Sequence, residues 1–172
     1  MNIHKHSITY ALATGIVVIV FSLCIYLAGL TNPAWNYLSY IFYIGLLVYA
    51  LKNWRDKEKK GILSYGQAMG YSTVFALYYI ILIVIWTLVF MIYIAPGFMA
   101  SQMDKQQAIM EQRGMSPEQV EIAMKYARMF SQPAIIAVFA FFGGMFLLSI
   151  INLIVCAIVK KDAEDQFNSP AA

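Results

Sequence analysis

Four long runs of sequence without Asp, Glu, Lys, Arg or His constrain the fold of this chain more than any other feature. They cover residues 8–30, 34–51, 71–94 and 134–159. A helix that crosses the roughly 30 Å hydrocarbon layer of a bilayer needs about 20 apolar residues, because each residue rises about 1.5 Å. The chain is 61% hydrophobic and 12% charged, whereas soluble domains average about 25% charged residues. The sequence therefore predicts an all-α integral membrane protein, a single domain with four transmembrane helices.

Capping signals stand at the start of two of these runs. Asn32 precedes Pro33, as an N-cap residue precedes a proline at the first helical position. The segment SYGQ, from Ser64 to Gln67, has the form of a capping box, in which the Ser and Gln side chains each accept a hydrogen bond from the other residue's backbone N–H. We therefore expect the third helix to begin at Ser64, before its fully apolar part.

The basic residues predict the orientation of the chain. Short loops rich in Lys and Arg stay in the cytoplasm. The loop 52–64 is strongly basic, and Lys160 and Lys161 follow the fourth run, whereas the acidic and basic residues of the insert 96–132 balance. We expect a multi-pass protein of the bacterial inner (cytoplasmic) membrane. Both termini and the loop 52–64 would be cytoplasmic, and the insert would lie on the periplasmic side.

The insert itself predicts a helical hairpin. A first helix is expected from Phe98 to Arg113, and Gly114 suits the position after a helix end. Ser116 then has the features of an N-cap, with Pro at the next position and Gln119 completing a capping box. Because the turn is short, the second helix, which ends near Phe130, folds back antiparallel to the first.

Apolar side chains recur at helical spacing along both helices of the insert. Two short helices bury too little apolar area to be stable alone, so we expect the lipid bilayer, a membrane or periplasmic protein, or a second copy of the chain to cover them. Methionine thioethers also bind Cu(I), but no His or Cys accompanies them here, and their spacing suits packing. No metal is expected. The predicted partner-binding residues are Met99, Met103, Met110, Val120, Met124 and Phe130.

Polar residues within the runs suggest a patch inside the membrane. Because no ionisable group of the Asp, Glu, Lys, Arg or His type lies in the runs, proton-coupled transport is disfavoured. The default interpretation is a set of interhelical hydrogen bonds. The alternative is a lining for a lipid or small apolar molecule. The patch residues are Tyr43, Tyr78, Tyr79, Ser149 and Asn152. The small-residue pairs Gly66–Gly70 and Ala140–Gly144 predict close helix contacts, either within the bundle or between copies of the chain.

No motif of catalysis is present in the sequence. We find no nucleophile–base pair, paired carboxylates, phosphate loop or HExxH, and no basic patch of the kind that binds nucleic acid. His4 and His6 are expected in a flexible tail that makes a poor metal site. The prediction is a protein without enzymatic activity or cofactor that acts as an accessory or scaffold subunit; the alternative is a binder or carrier of a lipid or small apolar molecule.

Several short motifs resemble those of one family. They are WRDKE in the basic loop, ILSYGQAMGYS at the start of the third run, a P-x-F that ends this run, and GMSPEQVE in the insert. As a set they resemble the small four-span membrane proteins of the domain-of-unknown-function family DUF4199, typical of Bacteroidota. The resemblance covers nearly the whole chain and implies a bacterial inner membrane location, but no activity or catalytic residues. Ala95 stands where the family suggests an acidic residue or Asn.

Overall fold

The computed structural model describes residues 3–30, 32 and 34–161. A five-residue π-helical turn, Phe90–Ile94, continues the third helix, and no β-strand is present in these residues. The predicted all-α fold class is confirmed. The helices are α1 (Ile3–Leu27), α2 (Ala34–Glu58), α3 (Tyr65–Val89), α4 (Phe98–Gln112), α5 (Pro117–Phe130) and α6 (Pro133–Val159).

Three helical segments in the described residues are long and apolar enough to cross a membrane. They are His4–Leu27, Tyr65–Ile94 and Pro133–Val159, which identifies the chain as a membrane protein. Helix α2 is not among these three. It is as long as α1, but it contains four tyrosines, and its last turn carries Arg55 and Lys57. Asn32 caps α2 as predicted, since its Oδ1 accepts a hydrogen bond of 2.9 Å from the backbone N–H of Ala34.

The chain divides into two compact units. The larger unit consists of residues 1–83 and 144–172, and the smaller unit of residues 84–143. Helices α1 and α2 therefore lie in the larger unit, together with most of α3 and the C-terminal part of α6. Helices α4 and α5 lie in the smaller unit, together with the π-helical turn.

Within the larger unit, α1 and α2 pack against each other in antiparallel register. The ring of Phe21 meets that of Phe42 at 5.0 Å between centroids. Eleven residues earlier in α1, Tyr10 meets Tyr49, which lies later in α2, at 5.9 Å. The two helices thus run side by side over several turns.

Aromatic contacts place α3 antiparallel to α2. Trp54, near the end of α2, stacks on Tyr71 with 5.1 Å between ring centroids. Tyr43, three turns earlier, lies 4.9 Å from Tyr79, later in α3. Large rings therefore fill the interface between these helices from Tyr43 to Trp54, about half the length of α2, which explains the buried core at Tyr43, Tyr71 and Tyr79.

The end of α6 is tied to the loop that follows α2. Leu63 and Lys161 exchange two backbone hydrogen bonds of 2.9 and 3.0 Å. Arg55 Nη1 also donates to the carbonyl oxygen of Val159 at 3.4 Å, at a helix end where carbonyl groups lack partners and a cation is favourable. The basic loop and the chain after the fourth run are therefore neighbours.

Glycine allows close approach at one of the two predicted small-residue pairs. A Cβ atom built on Gly144 would lie 2.5 Å from Cδ1 of Ile80, so α6 approaches α3 closely there. The Gly66–Gly70 pair has no atom within 4 Å of either hypothetical Cβ. The same motif thus marks a helix contact in one case and an open surface in the other.

Within the smaller unit, α4 and α5 form a packed pair. Gly114 adopts a positive φ of 76° between them, which glycine accommodates without strain. The predicted capping box is confirmed: Ser116 Oγ accepts from the N–H of Gln119 at 3.3 Å, and Gln119 Oε1 accepts from the N–H of Ser116 at 3.0 Å. Val120 and Met124 are the buried residues of α5.

The entry to α4 has no side-chain cap. Residue Ala95 donates its backbone N–H to the carbonyl oxygen of Phe90 at 2.8 Å, which closes the π-helical turn. Gly97 precedes the first residue of α4 and offers no side-chain oxygen. The residue that departs from the expected family pattern therefore lies at the end of the preceding turn, and α4 begins at Phe98.

A leucine at Gly15 tests a close contact that the sequence did not predict. A Cβ built there would lie 2.5 Å from Cδ2 and 3.3 Å from Cγ of Leu82, so Gly15→Leu should push α1 away from α3. We expect it to lower the free energy of unfolding by about 1–3 kcal/mol, as overpacking does. Gly45→Leu is the matched control, because nothing lies within 4 Å of its hypothetical Cβ. Denaturant unfolding in mild detergent would compare them, and equal stability of the two variants would contradict the contact.

Candidate functional site

An open groove of about 660 Å³ lies against α4 and α5 in the smaller unit. Its floor includes the buried side chains of Val120 and Met124. Its rim carries exposed side chains of both charges. The charged rim residues are Glu111, Glu121, Lys125 and Arg128. An apolar floor with a charged rim is the arrangement found at the centre and edge of protein interfaces.

Two of the six residues predicted to bind a partner line the groove. These two are Val120 and Met124. Phe130 is half exposed and lines no part of the groove. The three methionines of α4 are half-buried; they are Met99, Met103 and Met110.

Helix α5 has a second apolar face, of which the sequence prediction included Phe130 but not Ile122, Tyr126 or Met129. Four of its side chains are 46–58% exposed, although all are large and hydrophobic. They are Ile122, Tyr126, Met129 and Phe130, which we call the α5 stripe. Their spacing of four, seven and eight residues places them on one side of the helix. The sequence shows this spacing, but it also places Val120 and Met124 at helical spacing. The sequence alone does not decide which of the two apolar sets is exposed.

The larger unit contains a buried polar cluster that joins three helices. Tyr43 Oη donates to Asn152 Oδ1 at 2.9 Å, and Asn152 Nδ2 donates to the carbonyl oxygen of Ser72 at 3.1 Å. The hydroxyl of Ser72 lies 3.2 Å from Cys156 Sγ. All four side chains are buried. The cluster is an interhelical hydrogen-bond network of the kind that polar residues form within membranes.

The structure brings together three of the five residues predicted for the patch. Tyr43 and Asn152 are directly bonded, and Tyr79 packs its ring against Tyr43. Tyr78 is exposed. Ser149 is exposed too, and its Oγ donates to the carbonyl oxygen of Met145 in its own helix at 2.7 Å.

His6 belongs to a second buried cluster, and its expected place in a flexible tail was wrong. It lies inside α1 and is only 3% exposed. Its Nδ1 is 2.8 Å from the hydroxyl of Tyr71, and its Nε2 is 3.4 Å from Asn53 Oδ1. Ser7 Oγ donates to the carbonyl oxygen of Tyr71 at 3.1 Å. The helical spacing of His6 and Tyr10, whose rings lie 4.6 Å apart, was the signal that could have predicted this.

The two clusters are satisfied by the protein itself. In the described part of the chain, every buried side-chain nitrogen and oxygen has a hydrogen-bond partner. Tyr71 belongs to one cluster and Ser72 to the other, so a single turn of α3 contributes to both. These groups therefore hold the helices together, and each buried nitrogen and oxygen among them already has at least one partner within the protein.

A smaller groove of about 360 Å³ opens on the larger unit. Tyr79, Ile80 and Leu148 contribute to its wall, and Gly144 leaves room beside them. Two further tyrosines of α2, Tyr37 and Tyr40, line it as well. The lining is apolar with a few hydroxyl groups, which suits an acyl chain or another small apolar group.

Charged groups outside these sites include no candidate metal centre in the described residues. Among the described residues, no group of three or more His, Cys, Asp and Glu side chains is placed to hold a metal ion. Near the end of α2, Arg55 Nε donates to Asp56 Oδ1 at 2.8 Å, and this hydrogen bond lowers the pKa of the Asp56 carboxyl. Asp56 is exposed, so the pair contributes little to stability.

Comparison with known proteins gives one match. The family model described as "Protein of unknown function (DUF4199)" matches residues 9–161. This confirms the resemblance drawn from the sequence motifs, and the matched range includes residues of both compact units. The comparisons with curated proteins and with solved structures found no match.

Asn152→Ala should destabilise the larger unit because it removes both interhelical hydrogen bonds of this side chain. Single interhelical bonds in membranes contribute about 0.6 kcal/mol on average and up to about 1.7 kcal/mol. We therefore expect a loss of about 1–3 kcal/mol in the free energy of unfolding, measured in mild detergent. Ser149→Ala, on the same helix, is the control and should change stability little, because Ser149 bonds within its own helix. Equal losses would show that Asn152 does not join the helices.

Proposed function

Because the chain belongs to the DUF4199 family, whose description assigns no function, we propose a role from its own geometry. It is a non-catalytic accessory or scaffold subunit of the bacterial inner membrane that binds a partner protein through the groove against α4 and α5. The observation that carries the proposal is the groove itself, with an apolar floor at Val120 and Met124 below a rim of four charged side chains.

The chemistry of the groove defines the partner that would fit. Methionine is flexible, so Met115 and Met124 can adapt their side chains to an inserted apolar residue. The rim carries acidic and basic groups, Glu121 beside Lys125 and Arg128, which select a partner whose charges are complementary. An amphipathic helix with a narrow apolar face and charges of both signs on its flanks meets these requirements.

The small core of the α4–α5 pair supports the same role. The described residues of α4 include no buried side chain, and those of α5 include two. Such a pair has little hydrophobic area to stabilise it by itself. A bound partner would cover Met115 and Pro117, which line the groove and are still partly or fully exposed, and would add to the apolar burial of the pair.

We also propose that α2 crosses the membrane, which makes a four-helix bundle of α1, α2, α3 and α6. Helix α2 follows the membrane helix α1 from the contact of Phe21 with Phe42 to that of His6 with Asn53. A helix that runs antiparallel beside a membrane span over this length occupies the same depth range. The basic loop after α2 then lies in the cytoplasm by the positive-inside rule, and the α4–α5 pair lies in the periplasm.

Cysteine labelling in intact cells tests this topology. In a Cys24→Ala background, one variant carries Lys57→Cys in the basic last turn of α2 and another carries Gln112→Cys at the end of α4; both positions are exposed. We expect a membrane-impermeant maleimide to label the cysteine at position 112 in intact cells, and the cysteine at position 57 only after permeabilisation. The reverse pattern would contradict the topology.

The second candidate function is binding of a lipid or small apolar molecule in the larger unit. The favouring observation is the groove of about 360 Å³ beside Tyr79 and Gly144. A binding lumen around Tyr43 and Asn152 is disfavoured, because these side chains are buried and bonded to each other. An apolar guest would therefore lie against the outside of the helices, where hydrocarbon chains are available.

Co-purification from native membranes in mild detergent distinguishes the two functions. The double variant Lys125→Glu, Arg128→Glu reverses charge on the groove rim. The control, Lys105→Glu, Arg113→Glu, makes the same change of net charge at exposed positions of the insert that do not line the groove. We expect one protein to accompany the wild type and the control and to be lost from the groove variant.

A partner retained equally by all three versions would refute the groove as the binding site. A lipid or small molecule retained by all three versions, without any protein partner, would shift the assignment to the groove of the larger unit.

A further inference from the structure

The α5 stripe leaves a large apolar surface on a helix that already buries another face. Val120 and Met124 of the same helix are buried, whereas the stripe residues Ile122, Tyr126, Met129 and Phe130 are exposed. Successive residues of a helix are rotated by about 100° around its axis. The centre of the stripe therefore lies well over 90° around the axis from these two buried residues. The packing of α5 on α4 therefore does not explain why the stripe is apolar.

The C-terminal end of the stripe is continuous with the exposed apolar side of α6. The ring of Phe130 meets that of Phe139 edge to face, with 6.1 Å between centroids. Phe139 is 62% exposed, and its neighbours Val138 and Phe142 are exposed as well. Phe139 lies six residues after the first residue of α6, which is about 9 Å along the helix.

Because α6 is one of the helices suited to cross a membrane, these exposed side chains identify its lipid-facing side. Only Ser131 and Gln132 separate α5 from α6. Phe130 is therefore held at the depth of an apolar part of a membrane helix, which brings the end of α5 to the bilayer surface.

We propose that the α5 stripe lies on the lipid bilayer and makes α5 an interfacial amphipathic helix. The occupant of this face is the acyl and headgroup boundary of the membrane. Ile122, Met129 and Phe130 would enter the acyl region, and Tyr126 would place its ring there with its hydroxyl among the headgroups, the usual position of membrane-interface tyrosines.

This second surface is independent of the proposed partner. The groove floor, Val120 and Met124, and the α5 stripe occupy different sides of the helix. With the stripe on lipid, α5 can keep the groove available to water and to a partner protein. The α4–α5 pair, which has little core of its own, would then be stabilised by the membrane.

Spin-label accessibility in phosphatidylcholine vesicles tests the proposal with the full-length protein. The parent variant is Cys24→Ala; Cys156 is fully buried and should remain unlabelled, which the parent verifies. Single cysteines are introduced on the stripe, as Ile122→Cys or Tyr126→Cys, and on the charged face, as Glu121→Cys or Arg128→Cys. All four side chains are exposed, so the substitutions leave the buried face of α5 unchanged.

We expect labels on the stripe to collide freely with oxygen, which concentrates in lipid, and poorly with a water-soluble nickel chelate. The ratio of oxygen to nickel accessibility should be several-fold higher on the stripe than on the charged face. Equal ratios on the two faces would overturn the proposal by showing that the stripe faces water. Stripe labels shielded from both reagents would also overturn it, because a protein surface or a second copy of the chain would then cover the stripe.

Discussion

The larger unit depends on the hydrogen bonds of one side chain, Asn152. Its amide accepts from Tyr43 and donates to the backbone of Ser72, so a single residue of α6 joins α2 and α3. In hydrocarbon these groups have no water as an alternative partner, and leaving one of them unpaired costs free energy. The position of α6 against the other helices is therefore specified by polar chemistry, while the apolar surface around it packs with little directional preference.

The second cluster extends the same constraint to α1. His6 and Ser7 both reach Tyr71, the residue next to Ser72 in α3. The stacking of Trp54 on Tyr71 adds α2 to this contact. One turn of α3 thus receives bonds or ring contacts from the other three helices of the larger unit. Since the buried nitrogen and oxygen atoms of both clusters have partners within the protein, the clusters hold the helices in register.

Sequence patterns predicted local features such as helix caps well, but they predicted poorly which side chains are buried together on one face of a helix. The capping box at Ser116 and the cap at Asn32 follow from contacts within three residues, so nothing distant can change them. In contrast, Ser149 and Asn152 lie on nearly the same face of α6, yet Asn152 is buried and Ser149 bonds to its own helix. Helical periodicity shows only roughly which side of a helix a residue occupies. Contacts with the neighbouring helices decide which of two residues on the same side is buried. Of the residues predicted to bind a partner, Val120 and Met124 line the groove, whereas Phe130 belongs to the other apolar set of α5.

The sequence by itself determined that this chain is helical, that it belongs in a membrane, and where most of its helices begin and end. These properties depend on composition, on uncharged runs and on short-range caps. In hydrocarbon the backbone N–H and C=O groups must bond to each other, which a helix allows within one segment. Only the tertiary structure decided that His6 is buried, that Gly15 rather than Gly66 meets another helix, and which apolar face of α5 stays open. Those outcomes depend on the relative rotation of packed helices, and this rotation arises from contacts between residues far apart in the chain.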